Sequence, residues 1–155
     1  MKALLTAVLI AFGLNALAAD PFYPVNNIRY VSDRDYRTEV LDSDKYVVMV
    51  FSSDDCLDPT IIERACWRFE KKMDYFVPNF STKVKVIGFN TYFENYLIAG
   101  DFHITKTPTV IIMFKGQIIK RFEPVYNPTN PNRIPQMDWQ DVLLQDVLNV
   151  VGQIR

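Results

Sequence analysis

The chain is expected to form one α/β domain, with a central sheet covered by helices. Three observations predict this. Continuous apolar, β-branched runs at Tyr46–Phe51 and Thr109–Phe114 suit strands covered on both faces. Segments with helical spacing alternate with these strand-like runs along the chain. The chain has 155 residues, 49% apolar and 23% charged, enough for one core and incompatible with intrinsic disorder.

The elements follow in order. Ile28 to Val31 reads as a short strand. Asp33 to Leu41 reads as a short helix, with Asp33 as its N-cap and Tyr36, Val40 and Leu41 as a narrow apolar stripe. The strand at Tyr46–Phe51 gives way to the polar stretch Ser52-Ser53-Asp54-Asp55-Cys56-Leu57, a loop by composition. Asp58-Pro59 then marks a helix start, because proline fits the first helical position. Beyond it Ile62, Ala65, Cys66, Phe69, Met73 and Phe76 recur at steps of three and four, with Glu63, Arg64, Arg68, Glu70 and Lys71 on the other faces. Lys83 to Phe89 reads as a second central strand, and Phe93 to Asp101 as a short helix. The strand at Thr109–Phe114, the turn Lys115-Gly116 and Gln117 to Phe122 make a β-hairpin. Pro124 to Pro135, rich in Pro and Asn, is irregular and reads either as a docking loop or as a long connection. Asp138 to Ile154 closes the chain as a helix, with Trp139, Val142, Leu143, Val147, Leu148, Val150 and Val151 on its apolar side.

Residues 1–19 read as an address rather than as part of this domain. Lys2, an apolar run from Ala3 to Leu14 and the small-x-small ending Ala16-Leu17-Ala18 have the form of a secretory signal peptide, too short to span a bilayer. Cleavage near Ala18 or Ala19 leaves residues 20–155 as the domain, with no stable membrane insertion. It removes one base and no acid, taking the formal charge from −1 to −2. The Ala-Leu-Ala ending points to a periplasmic or secreted protein. The cleavage site has no lipobox cysteine, which argues against a lipoprotein.

Charge and residue counts narrow the chemistry. Seventeen Lys and Arg against eighteen Asp and Glu leave no basic excess to hold a phosphate backbone, so no nucleic-acid partner is expected. Two cysteines and one histidine exclude a Cys/His zinc site and a disulfide-dense miniprotein. Asp54, Asp55 and Asp58 read as a solvated acidic loop; neither a metal site nor a cofactor is expected.

Three segments then resemble the thioredoxin-like superfamily. Ile28-Arg29-Tyr30-Val31-Ser32-Asp33, with Tyr36, Val40 and Leu41, looks like its opening strand and helix. Tyr46 to Phe51, followed by Cys56, is similar to the strand and loop that deliver its reactive cysteine. Thr107-Pro108-Thr109-Val110-Ile111-Ile112-Met113-Phe114-Lys115-Gly116-Gln117 looks like its cis-proline strand and hairpin. The resemblance covers about Ile28 to Gln153 and implies a central mixed sheet flanked by helices. It also implies a partner-binding edge formed by Thr107, Pro108, Cys56 and Leu57, with His103 nearby. His103 alone reads as a solvated or core-edge residue.

The chain departs from the family at the reactive loop. Family oxidoreductases place Cys-x-x-Cys at a helix N-terminus, where N–H groups and the dipole favour the thiolate. Here Pro59 holds the second cysteine's position, and Asp54, Asp55 and Asp58 disfavour a thiolate at Cys56. The buried acid that family members carry on the preceding strand has no counterpart, Met49 being the nearest match. Counted from Cys56 to Asn90, the chain is about two helical turns longer than the family's; counted from Cys66, the spacing matches.

Two arrangements stay open. Cys66 takes the second-cysteine position after an insertion, with a Cys56–Cys66 disulfide, or Cys66 is a small core residue and Cys56 stands apart. Ten residues of straight helix span roughly 15 Å, whereas a disulfide needs Cα atoms within about 7 Å, so a bridge requires the loop to fold back. The first reading of function is a non-catalytic protein-binding or scaffold subunit of an envelope assembly. The alternative is a thiol-disulfide oxidoreductase or thiol-dependent chaperone, with Cys56 as catalytic nucleophile and Cys66 as resolving cysteine. Tyr92, Phe93, Tyr96, Phe102, Tyr126 and Trp139 add candidate aromatic contacts for a protein partner.

Overall fold

Central strands that are apolar on both faces need a helical layer on each side, and the computed structural model has this arrangement. It describes residues 27–53, 65–91, 96–124 and 139–155. Residues 1–19, Cys56, Leu57, Pro59, Tyr92, Phe93, Tyr126 and most of the Pro/Asn segment lie outside these residues.

The described strands are β1 (Arg29–Tyr30), β2 (Tyr46–Ser52), β3 (Val84–Asn90), β4 (Thr109–Phe114) and β5 (Gln117–Phe122). They form one mixed sheet in the order β1-β3-β2-β4-β5. β1, β3 and β2 run parallel, and β4 and β5 run antiparallel to their neighbours. The helices are α1 (Ala65–Phe76), α2 (Tyr96–Asp101) and α3 (Trp139–Val151). A 3-10 turn (Val77–Asn79) extends α1. The domain is therefore α/β with a mixed five-stranded sheet.

β2 sorts its side chains by alternation. Val48 and Val50 face a core built with Phe69 and Met73 of α1 and with Leu143, Leu144, Val147 and Val151 of α3. Val47, Met49 and Phe51 face the opposite core, with Val40, Phe89, Ile98, Ile111 and Met113. There Phe51 stacks on Phe89 at 5.3 Å, and Phe102 meets Phe51 and Tyr36 at 5.9 Å each. Phe102 is half-buried and packs against this core. Lys115 and Gly116 both have positive φ, 49° and 74°, which is the backbone a two-residue hairpin turn needs.

Three expectations are corrected. The helix expected over Asp33–Leu41 is a 3-10 turn (Asp33–Asp35) followed by a π-helical turn (Arg37–Leu41). Ser32, not Asp33, caps it: Ser32 bonds the Asp35 carboxylate through both its N–H and its hydroxyl, and Leu41 is exposed. On α3, Val142 is exposed and Leu144 is buried, because the helix presents Leu143, Leu144, Val147 and Val151 to the sheet. On α1, Glu70 does not belong to the solvent side; it is 1% exposed.

β1 sits against a residue without a side chain. Tyr30 pairs with Gly88, and its ring lies over that glycine; a Cβ there would stand 2.7 Å from Tyr30 Cε1. Gly88→Ala is expected to destabilise the fold by about 1–3 kcal/mol through this overlap. Denaturant unfolding checks it, and pairing the change with Tyr30→Ala should make the two losses strongly non-additive.

Candidate functional site

The central strands stay apolar almost to their carboxyl ends and then turn polar at one edge. β2 ends at Ser52 and β3 at Asn90, which are register partners, and Thr109 opens β4 opposite Phe51. All three polar residues are buried, so each must find a hydrogen-bond partner. Thr109 Oγ1 donates to the Lys106 carbonyl at 2.7 Å, and the Ser52 carbonyl accepts from Thr91 N–H at 2.7 Å. Ser53 Oγ lies 3.3 Å from Thr107 Oγ1, joining the end of β2 to the turn that precedes β4. The Thr107–Pro108 peptide bond is cis. Pro108 is buried and Thr107 is half-buried.

Arg121 fastens the approach to that turn. From β5 it donates to the carbonyl of Phe102 at 2.5 Å and to that of His103 at 3.0 Å, while its Nε donates to Glu123 at 2.7 Å. His103 is exposed and has a φ of 51°, with its Nδ1 3.2 Å from the Asp101 carbonyl. The exposed ring is held by the turn rather than by the core.

Beneath this edge lies a buried acid. Glu70 projects from α1 between two hydroxyls: Tyr30 Oη of β1 donates to Oε2 at 2.5 Å, and Ser52 Oγ of β2 bonds Oε1. Burial pushes the Glu70 carboxyl up to about 8, the Tyr30 bond opposes this, and the negative charge of Asp74 one turn away adds to it. At neutral pH the carboxyl is therefore largely protonated, and its own proton can serve the Ser52 oxygen. Asp74 accepts from Asn27 N–H at 2.6 Å, Ile28 N–H at 3.0 Å and Asn27 Nδ2 at 3.2 Å. Two carboxyls on one face of α1 thus hold the chain on either side of Ile28.

Of the residues singled out from the sequence, Thr107 and Pro108 come together with the end of β2, and His103 lies on the turn leading to them. Cys66 lies on α1 one turn before Glu70; its side chain, like Cys56 and Leu57, lies outside what is described. Among the described residues, no group of three His, Cys, Asp or Glu is placed to hold a metal ion, and no helix is long and apolar enough to cross a membrane. Sequence reasoning missed Glu70, Ser52, Tyr30 and Arg121. The available signal was the spacing of Glu70 and Asp74, four apart and each beside an apolar stripe position, Phe69 and Met73. Met49 of β2 is buried and apolar, so the preceding strand carries no acid at that position, and the buried Glu70 arrives from the helix instead.

Comparison with protein families and with curated proteins finds no match for this chain.

Arg121→Ala is expected to cost about 1–3 kcal/mol, because it strips hydrogen bonds from two carbonyls of one turn. Amide exchange should quicken at residues 102–107 and remain slow in β3, and Arg121→Lys should restore only part of the loss.

Proposed function

We propose that this chain is an exported protein with a thioredoxin-like fold that serves as a protein-binding or scaffold subunit of an envelope assembly, without efficient dithiol-disulfide exchange. The observation that carries this reading is the Ser53–Thr107 contact, which sets the turn before Pro108 against the end of β2, from which the chain runs on toward Cys56. Two of the segments that resemble the family therefore share one edge of the sheet. The order of elements is compatible with that fold, and the cis bond falls where the resemblance expects it. Against efficient exchange stand Pro59 in the second cysteine's position and three acidic residues within two positions of Cys56 in the sequence. Export is inferred from residues 1–19.

Insulin reduction tests the chemistry: turnover is expected to be no greater than that of Cys56→Ser. Turnover that requires both Cys56 and Cys66 would overturn the reading in favour of the oxidoreductase. Binding is tested by purifying the tagged protein from envelope extracts. Thr107→Arg is expected to lose at least tenfold of the captured partner while its unfolding midpoint stays within error. The mass of the exported chain should correspond to a start at Ala19 or Asp20.

A further inference from the structure

β1 is two residues long and, among the described residues, pairs only with β3, so its ladder gives it little hold. Its attachment to the α1 layer includes apolar packing of Ile28 and Tyr30 and polar contacts from Glu70 through Tyr30 and from Asp74 through the N–H groups of Asn27 and Ile28. Glu70 also grips Ser52, whose neighbour Ser53 meets Thr107. One carboxyl therefore joins the helix to the ends of two strands.

The titratable groups that Glu70 meets are Tyr30 of β1 and Asp74 of α1, and β2 faces it with Ser52. Among the described residues, no Lys, Arg or His pairs with it. Protonated, the group is neutral and can satisfy both hydroxyls. Ionised, it is an uncompensated charge at 1% exposure with a second negative charge one turn away.

We propose that Glu70 is a proton-operated latch: protonated, it clamps α1 to β1 and to the end of β2, and once ionised the burial of an uncompensated charge favours opening of both, although the hydroxyls still donate to the carboxylate. Opening exposes the carboxyl to water and returns it toward the ordinary carboxylate value of 4.5 from about 8 in the closed state. The latch is at full strength below the lower value. It weakens as pH rises between the two, by about tenfold per pH unit, and changes no further above the upper one. A shift within this range alters access to the β3 edge behind β1 and to the Ser52–Ser53 end of β2. The device does not depend on what binds there or on any thiol chemistry.

Hydrogen exchange of the full chain from pH 5 to 9, corrected for intrinsic rates, tests it. Protection of residues 27–31 and 51–53 is expected to fall about tenfold per pH unit and to level off near pH 8, while β5 keeps its protection. Glu70→Gln should make the profile flat. Two further tuning variants shift the pH of levelling-off; Tyr30→Phe also removes the β1 arm, so its profile is read at residues 51–53. Asp74→Asn removes the neighbouring charge and should move the levelling-off to lower pH; Tyr30→Phe removes a bond that favours the ionised form and should move it higher. The proposal fails if protection of 27–31 does not change with pH, if β5 loses protection in parallel, or if the levelling-off stays in place in both tuning variants.

Discussion

The arrangement of this domain depends on one buried carboxyl. Glu70 has no cationic partner among the described residues, so its place in the interior rests on two hydroxyls and on the proton it keeps at neutral pH. An unpaired buried carboxylate would be far more costly than a neutral acid bonded at both oxygens. Ser52 needs this partner as much as Glu70 does. A serine at 0% exposure at the end of an apolar strand is tolerable only because a helix brings an oxygen to it. The hydroxyls and the acid therefore specify one another, and together with the packing of Phe69 and Met73 they hold α1 against the sheet.

That placement reaches the candidate site through short covalent steps. Ser52 is held from below by Glu70 and from the side by Thr91, and the next residue touches Thr107. From the other direction, Arg121 ties the Phe102–His103 turn to β5, so the chain approaching Pro108 is anchored at both ends. The site edge is built from backbone held by buried polar contacts, on strands whose apolar faces leave little freedom. Such an edge can present a fixed surface to a partner without any reactive side chain.

The sheet was the most legible part of the chain. Runs such as Val47–Phe51 and Val110–Met113 are apolar on both faces, and only a covered central strand reads that way. The hairpin turn was equally plain from Lys115-Gly116. What could not be read was the destination of polar residues set among apolar ones. Glu70 falls beside the stripe of α1, where sequence spacing assigns an acid to solvent, and only the tertiary position of Tyr30 and Ser52 makes it an interior residue. Gly88 posed the same difficulty, since nothing local announces that a tyrosine from another strand will lie on it. Val142 and Leu144 exchanged roles because both lie near the margin of the apolar stripe, and the packing angle of α3 decides which one is covered.

β1 brings these points together, because its two residues face opposite layers and are held by opposite kinds of chemistry. Tyr30 reaches Glu70 in the α1 layer. Arg29 reaches Glu39 of the π-helical turn on the other side, where Lys85 of β3 joins the same carboxylate. Arg29 and then Lys85 hold Glu39 below the ordinary carboxylate range. Its contribution is present above that range and is lost as pH falls. The Glu70 contribution has the opposite sign, full in acid and lost as pH rises toward about 8. The ion network is half in solvent and weakens with salt, whereas the neutral Glu70 contact is buried and offers salt little to screen. A strand with only two ladder partners is thus held best in the interval where Glu39 is already charged and Glu70 is still protonated, and the buried contact dominates because water screens the exposed one.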